Sequence, residues 1–215
     1  ISQIFGELVG LWCAIVWQRM GSPPKVNLVE LGPGRGTLMR DALRAARVLP
    51  GFLAAAEVHL VETNALLREQ QADTLAGTPV RVSWHEAIGV PIEPAAPLIV
   101  IANEFLDTFP VEQSLFMHGS WHRRGVGLDP AGRLVFTTLG PETSSLPSGL
   151  ETPHDGAIFE HSAEGPSLSR ALVRMAGAAP LAALLIDYGH SGPLFGDTLQ
   201  AARNHRAEHP LTSPG

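Results

Sequence analysis

The chain contains a single cysteine, Cys13, among 215 residues, so no disulfide can form within it. Cys13 falls inside an apolar helical pattern and reads as a small buried thiol rather than a reactive one. Long apolar runs are also missing. No stretch reaches the roughly 18 apolar residues that a membrane-spanning helix needs, and no basic-then-apolar signal opens the chain. Basic residues are in the minority, 15 Lys and Arg against 21 Asp and Glu, for a formal net charge of -6. That balance argues against a nonspecific nucleic-acid binder, which needs a positive surface for phosphate, and leaves a protein or peptide substrate open. Two catalytic motifs are absent as well. There is no G-x-S-x-G elbow, and the nearest strand-turn-helix segment carries Arg35 where a nucleophilic serine would be needed. No G-x-x-x-x-G-K-[ST] occurs, which argues against a P-loop NTPase.

What is present suits one well-buried domain with many turns: 22 Gly and 18 Pro exceed average usage. The central stretch is Val26 to Leu43. An apolar strand (Val26, Leu28, Val29, Leu31) runs into Gly32, Gly34 and Gly36, and then into a helix whose Leu38, Met39, Ala42, Leu43 and Ala46 recur at helical spacing. Glycines permit positive φ and close ligand approach, while the free N–H groups of a helix start favour electron-rich atoms. A nucleotide-like cofactor fits that turn.

Upstream, residues 2 to 20 read as an amphipathic helix stopped by Gly21 and Pro23-Pro24, with Trp12 and Trp17 packing against a sheet. Downstream, E-V-H-L-V-E gives a second strand ending in Glu62, about 26 residues past the glycine turn and near the spacing of a βαβ unit. An acid there can accept hydrogen bonds from ribose hydroxyls. Asn64 caps a helix to about Leu75. Val80, Val82 and Trp84 form a third strand with His85 and Glu86 after its end, making Trp84 and His85 candidate adenine neighbours. Pro91, Pro94 and Pro97 mark a loop. The continuous apolar run L-I-V-I-A (98 to 102) reads as a central strand buried on both faces, delivering Asn103, Glu104 and Asp107 to its C-terminal end.

From about 111 to 140 the pattern becomes β-rich, with hairpins at G-S (119 to 120) and D-P-A-G (129 to 132), followed by a Pro/Ser/Gly-rich loop from about 140 to 156. The core resumes over 157–190, with a helix from about Ser167 to Ala176 and a buried strand 181 to 187 presenting Asp187, Tyr188 and Gly189. A short helical pattern covers Thr198 to His205. The fold class is therefore α/β, a doubly wound Rossmann-like sheet in one domain, 1–215, with core segments 1–110 and 157–190 and a β-rich insertion. No metal is expected: His118 and His122 share a predicted strand face without a convergent carboxylate, and His205 and His209 straddle a segment that Pro210 ends.

NAD-binding turns normally place their third glycine one residue later than Gly36, so the spacing favours an S-adenosyl-L-methionine turn over a dehydrogenase. Four segments then resemble the MidA-like family of S-adenosyl-L-methionine-dependent methyltransferases. They are V-E-L-G-P-G-R-G-T-L (29 to 38), A-N-E-F-L-D-T-F-P-V (102 to 111), L-I-D-Y-G-H (185 to 190) and G-D-T-L-Q-A (196 to 201), in family order across the chain. The family includes a mitochondrial complex I assembly factor that methylates an arginine of a complex I subunit.

The resemblance implies a class I methyltransferase fold with S-adenosyl-L-methionine as cofactor. Gly32, Gly34 and Gly36 would line the turn, Glu30 would sit near the methionine end, Glu62 would hold the ribose, and Asn103 and Glu104 would face the reacting centre. Asp107 and Asp187 come next, each with a helix-capping or loop-fixing role as the alternative, and Glu160 has no clear role. The implied partner is a protein substrate, with neither nucleic acid nor a membrane span. The alternatives are a small-molecule methyltransferase, its pocket lidded by the β-rich insertion, and a non-catalytic cofactor-binding assembly factor. With Ile1 in place of Met and no family N-terminal segment or C-terminal strands, a truncated chain is expected. The relatives imply the bacterial cytoplasm for an unprocessed chain and the mitochondrial matrix in eukaryotes.

Overall fold

The computed structural model describes residues 2–89, 95–142, 152–189, 192, 194–204 and 206–212. Pro91, Pro94, most of the 140 to 156 loop, His190 and His205 lie outside the described residues. The chain divides into two compact units, Ile1–Phe109 with Glu164–Tyr188, and Pro110–Ala163 with Gly189–Gly215.

In the first unit, helix α1 (Gln3–Arg19) opens on Ser2, whose hydroxyl accepts the Phe5 N–H. Strand β1 (Val26–Leu31) leads through the glycine turn into α2 (Thr37–Ala45), a short helix α3 (Pro50–Ala55) and β2 (Ala56–Val61). Helix α4 (Ala65–Thr74) is capped by Asn64, as expected, and precedes β3 (Arg81–His85) and β4 (Leu98–Asn103). These strands are joined by a later strand, Leu181–Ile186 (β9 in chain order), into a five-stranded parallel sheet of order β3-β2-β1-β4-β9. The chain winds outward from β1 through β2 to β3 and then returns to the other side of β1 with β4. The C-terminal ends of β1 and β4 therefore lie side by side, with Leu31 opposite Ala102, at the switch point where such sheets bind ligands.

Both sheet faces are covered by apolar packing. Val26, Leu28, Val58, Leu60, Ile99 and Ile101 pack with α1, α2 and α3, whereas Val29, Leu31, Leu98 and Val100 pack with Leu168, Leu172 and Ala176 of α5 (Glu164–Ala176). Trp17 is buried and donates its indole N–H to the Pro23 carbonyl at 3.0 Å, a packing role. Cys13 is fully buried, and desolvation pushes its thiol up to about 12. Gly6 and Gly10 bring α1 onto α2. A Cβ at Gly10 would lie 2.2 Å from the Ala42 carbonyl oxygen, and one at Gly6 would lie 2.8 Å from Asp41 Cβ. Two glycines four residues apart thus form the flat face on which the crossing rests.

The second unit is an antiparallel four-stranded sheet of β5 (Glu112–Met117), β6 (Ser120–Leu128), β7 (Leu134–Pro141) and β8 (Ile158–His161), in the order β7-β6-β5-β8. The two hairpins fall where G-S and D-P-A-G indicate. Four expectations change. Residues 158–161 leave the core for this sheet because β8 pairs with β5, and α5 starts at Glu164 rather than Ser167. His118 sits in the hairpin turn with φ 51°, off the strand that carries His122.

The helix read over Thr198 to His205 is instead a hairpin, β10 (Ala201–Arg203) against β11 (Arg206–Glu208). The reason is a partner distant in the chain. The Thr198 N–H donates to Glu160 Oε1 at 3.1 Å and its hydroxyl donates to Glu160 Oε2, which ties up the residue that would have capped a helix. Glu160, without a role in the sequence reading, is therefore an anchor, and Gln113 also donates to it at 2.6 Å. Beside it Arg124 pairs with Asp197 at 2.7 Å. Partial burial pushes the Asp197 carboxyl up, but hydrogen bonds from Arg124 and Gln113 outweigh this and hold it low.

Candidate functional site

The glycine turn has the backbone its sequence requires. Gly32, Gly34 and Gly36 have φ values of 62°, 54° and 75°, all in the left-handed region that favours glycine. The Gly32 N–H donates to the Val61 carbonyl at 3.0 Å, clipping the turn to β2. A Cβ at Gly34 would meet nothing within 4 Å, so that glycine faces open space. No side chain caps the start of α2; its first N–H groups are available to an electron-rich ligand group.

Glu30 lies on β1 just before the turn and is 3% exposed, with no described hydrogen-bond partner for Oε2. Desolvation raises its pKa to about 8, so it is largely protonated at neutral pH. A buried acid of this kind reads out in stability. Its folded pKa lies above the unfolded value, so its stabilising proton is fully held below the unfolded pKa and lost as pH rises through about 8. Glu30→Gln is expected to abolish this loss. The wild-type melting temperature should fall relative to the variant between about pH 4.5 and 8, and parallel melting curves across that range would count against the assignment.

Glu62 stands just past the end of β2. Its Oε1 accepts the Asn64 N–H at 2.9 Å, while among the described residues Oε2 receives only the Gln71 side-chain amide, at 3.5 Å. That leaves lone pairs for diol hydroxyls. Trp84 and His85 both lie within β3, so strand alternation sends them to opposite faces. Trp84 packs on the α1 side and donates its indole N–H to Gln71 at 3.0 Å. His85 bonds His59 at 3.1 Å, and His59 in turn bonds Asn27 at 3.3 Å. Desolvation depresses both histidines, with the charge of His85 adding to the effect on His59.

At the end of β4, Asn103 is half-buried and Glu104 exposed. Glu104 has φ 47°, a strained value for a non-glycine residue of a kind that clusters at functional sites. Its N–H donates to the Ile186 carbonyl at 2.8 Å, and the Tyr188 hydroxyl donates to its Oε1 at 3.4 Å. Asp107 sits in the 3-10 turn Leu106–Thr108, its pKa raised by desolvation and then by the charges of Asp187 and Glu104. Asp187 is occupied differently. Oδ2 accepts the N–H groups of Leu106 at 2.7 Å and Asp107 at 3.1 Å, and Oδ1 accepts the Tyr188 N–H at 2.8 Å. It fastens the β4 loop to the end of β9. The Phe105 ring lies 2.8 Å from where a Gly32 Cβ would be, so the acidic loop abuts the glycine turn.

The structure thus groups the turn, Glu30, Glu62, Asn103, Glu104 and Asp107 at one end of the sheet, with Asp187 behind them as a brace. Two contributors were not singled out from sequence. Tyr188 follows a strand end, and its hydroxyl reaches Glu104 Oε1. Gln71 left a readable sign, since it occupies the Leu67, Gln71, Leu75 stripe of α4 at a position otherwise filled by apolar residues. Among the described residues, no group of three or more His, Cys, Asp or Glu side chains could hold a metal ion, and no helix is long and apolar enough to cross a membrane.

A doubly wound parallel sheet with a glycine cradle at its switch point, an acid past β2 and an acidic loop past β4 is the arrangement of a nucleotide-cofactor-binding domain. The match to known sequences agrees: residues 8–215 fit a family model described as "Putative S-adenosyl-L-methionine-dependent methyltransferase", and the chain belongs to that family. It is 34% identical over 249 residues to the protein arginine methyltransferase NDUFAF7 homolog, mitochondrial, of Drosophila melanogaster, covering 100% of this chain and 54% of that protein. To the human protein arginine methyltransferase NDUFAF7, mitochondrial, it is also 34% identical, covering 100% of this chain and 53% of the relative. A crystal structure of a COG1565 superfamily member from Burkholderia thailandensis bound to S-adenosyl-homocysteine superposes with a TM-score of 0.76 at 25% identity, covering 98% of this chain and 55% of that one. The chain spans about half the length of the curated relatives it matches.

Proposed function

We infer that the protein transfers a methyl group from S-adenosyl-L-methionine to an arginine side chain of a protein substrate. The observation that supports this reading is the contact between the glycine turn and the loop after β4: the Phe105 ring lies against Gly32, and the same loop carries Glu104 and Asp107. The residues fit the cofactor. Gly34 leaves the turn open, the unpartnered Glu30 oxygen can accept an N–H of the amino-acid head, whose positive charge would offset the burial that holds Glu30 protonated, and Glu62 has acceptor capacity for ribose hydroxyls.

When bound, the cofactor supplies an electrophilic methyl group. The task left to this chain is to present the nucleophile. A guanidinium is protonated and has no free lone pair. Glu104 can hold the planar group through paired N–H···O contacts, orient one nitrogen in line, and take up the proton that nitrogen loses as its bond to carbon forms. Desolvation and the charges of Asp187 and Glu104 raise the Asp107 pKa, which favours a carboxyl that can hold a proton beside Glu104 in the same loop. The Tyr188 hydroxyl steadies Glu104 Oε1, and Asp187, saturated by backbone donors, keeps the loop in place.

The test pairs calorimetry with S-adenosylhomocysteine and mass spectrometry of proteins incubated with isotopically labelled cofactor. Binding together with label on an arginine supports the reading. Binding with label only on small molecules, or with no transfer at all, counts against it. The names of the relatives favour arginine as the acceptor.

A further inference from the structure

We propose that Gln71 is a positioning residue of the cofactor site: a single buried amide couples the glycine turn to the Glu62 carboxylate and holds the two in one geometry. This rests on the reading that S-adenosyl-L-methionine binds at the turn and Glu62. Gln71 has no exposed surface. Its Nε2 donates to the Gly34 carbonyl at 2.7 Å and to Glu62 Oε2 at 3.5 Å, and its Oε1 accepts the Trp84 indole N–H at 3.0 Å. Both N–H bonds of the amide are thereby used, and its orientation is unique. A flipped amide would set N–H against N–H at Trp84 and oxygen against oxygen at both Gly34 and Glu62.

The consequences reach the ligand side. With its carbonyl pinned, the planar peptide between Gly34 and Arg35 is fixed, and its N–H points away from Gln71. Glu62 is gripped from two sides, by the Asn64 N–H and the Gln71 amide, yet retains acceptor capacity. The start of α2 rests on the same residue, since a Cβ at Gly36 would lie 3.4 Å from Gln71 Cα and Cγ. An aliphatic side chain would continue the apolar stripe between Leu67 and Leu75. The amide is needed only for the three groups that it joins, and burying it is costly unless they are joined.

The test is S-adenosylhomocysteine affinity of the intact protein by calorimetry, with cooperative thermal unfolding of each ligand-free variant as the control for folding. Gln71→Met keeps the volume and removes every hydrogen bond. It is expected to raise the dissociation constant about tenfold or more, in line with loss of a buried hydrogen-bond network. Glu62→Ala should weaken binding strongly in the wild-type background and by no more than about twofold once Gln71→Met is present, because an unheld carboxylate has little left to lose. A merely structural glutamine would give additive losses. Gln71→Glu keeps the acceptor for Trp84 but loses the amide donors. It should match or exceed the Gln71→Met defect, and it carries the test where Gln71→Met does not fold. Additive losses, or binding by both Gln71 variants within twofold of wild type while Glu62→Ala is weakened, would overturn the inference and leave the site reading standing. No effect of Glu62→Ala in any background would overturn both.

Discussion

Glu104→Gln is expected to lower methyl transfer to an arginine-containing peptide by about a hundredfold or more, the scale of losing one preorganised charged group, while S-adenosylhomocysteine affinity stays within about twofold of wild type. The split follows from the position of Glu104. It follows β4, next to the turn but outside it, and among the described residues its side chain hydrogen-bonds only the Tyr188 hydroxyl. The amide keeps the shape and loses both the charge that holds a guanidinium and the capacity to accept its proton. A companion variant separates function from structure. Because Glu104 has φ 47°, Glu104→Gly should relieve strain, leaving the melting temperature unchanged or higher while transfer is lost. Turnover near wild type in Glu104→Gln would remove this residue from the mechanism, as would a Glu104→Gly variant that transfers normally.

Gly10→Val should be the most damaging substitution for folding, costing at least about 3 kcal/mol or yielding insoluble protein. A Cβ at Gly10 would meet the Ala42 oxygen at 2.2 Å, Cα at 2.5 Å and carbonyl carbon at 2.7 Å. All three are backbone atoms of α2, which cannot move aside as a side chain can. Relief would require α1 to lift from α2, breaking the Glu7–Arg44 ion pair at 2.9 Å and exposing Val9, Cys13 and Trp17, which now lie buried. Gly51→Ala makes a control: its Cβ would meet only the rim of Trp17 at 3.3 Å, so its urea midpoint should move far less. Equal midpoints for the two variants would contradict the close crossing.

Much of the first unit was legible because its signals are local. The strand-glycine-helix pattern fixed β1 and α2, an unbroken apolar run marked β4, and Asn64 announced α4 through its own side chain. Glu62 and Glu104 could be placed just past β2 and β4 because strand ends in a doubly wound sheet are predictable positions. What sequence could not carry was set by partners far away in the chain. Thr198 through His205 has helix-forming composition, yet Glu160 claims the Thr198 N–H and hydroxyl, and a left-handed Asn204 at φ 51° turns the chain into a hairpin. Asp187 reads from sequence either as a catalytic carboxylate or as a loop-fixing one, and its three backbone donors become visible only in the fold. Strand β8 shows nothing in its four residues that separates an edge strand of one sheet from a strand of another. Trp84 and His85 read as a pair because they are adjacent, and strand alternation separates them.

The brace at Asp187 also bears on how the chain reaches its native state. The Leu106 N–H and the Asp187 carboxylate that receives it are 81 residues apart, so the acidic loop acquires its shape only after β4 and β9 have found each other across the whole inserted unit. Closing so long a segment carries an entropic cost before any contact rewards it, whereas the hairpins β5–β6 and β6–β7 join near neighbours and can form early. Sequence separation alone favours the hairpins forming ahead of the β4–β9 pairing, and that pairing ahead of the acidic loop. A refolding chain would recover its secondary structure well before the carboxylates at the end of β4 stood where they do in the finished protein.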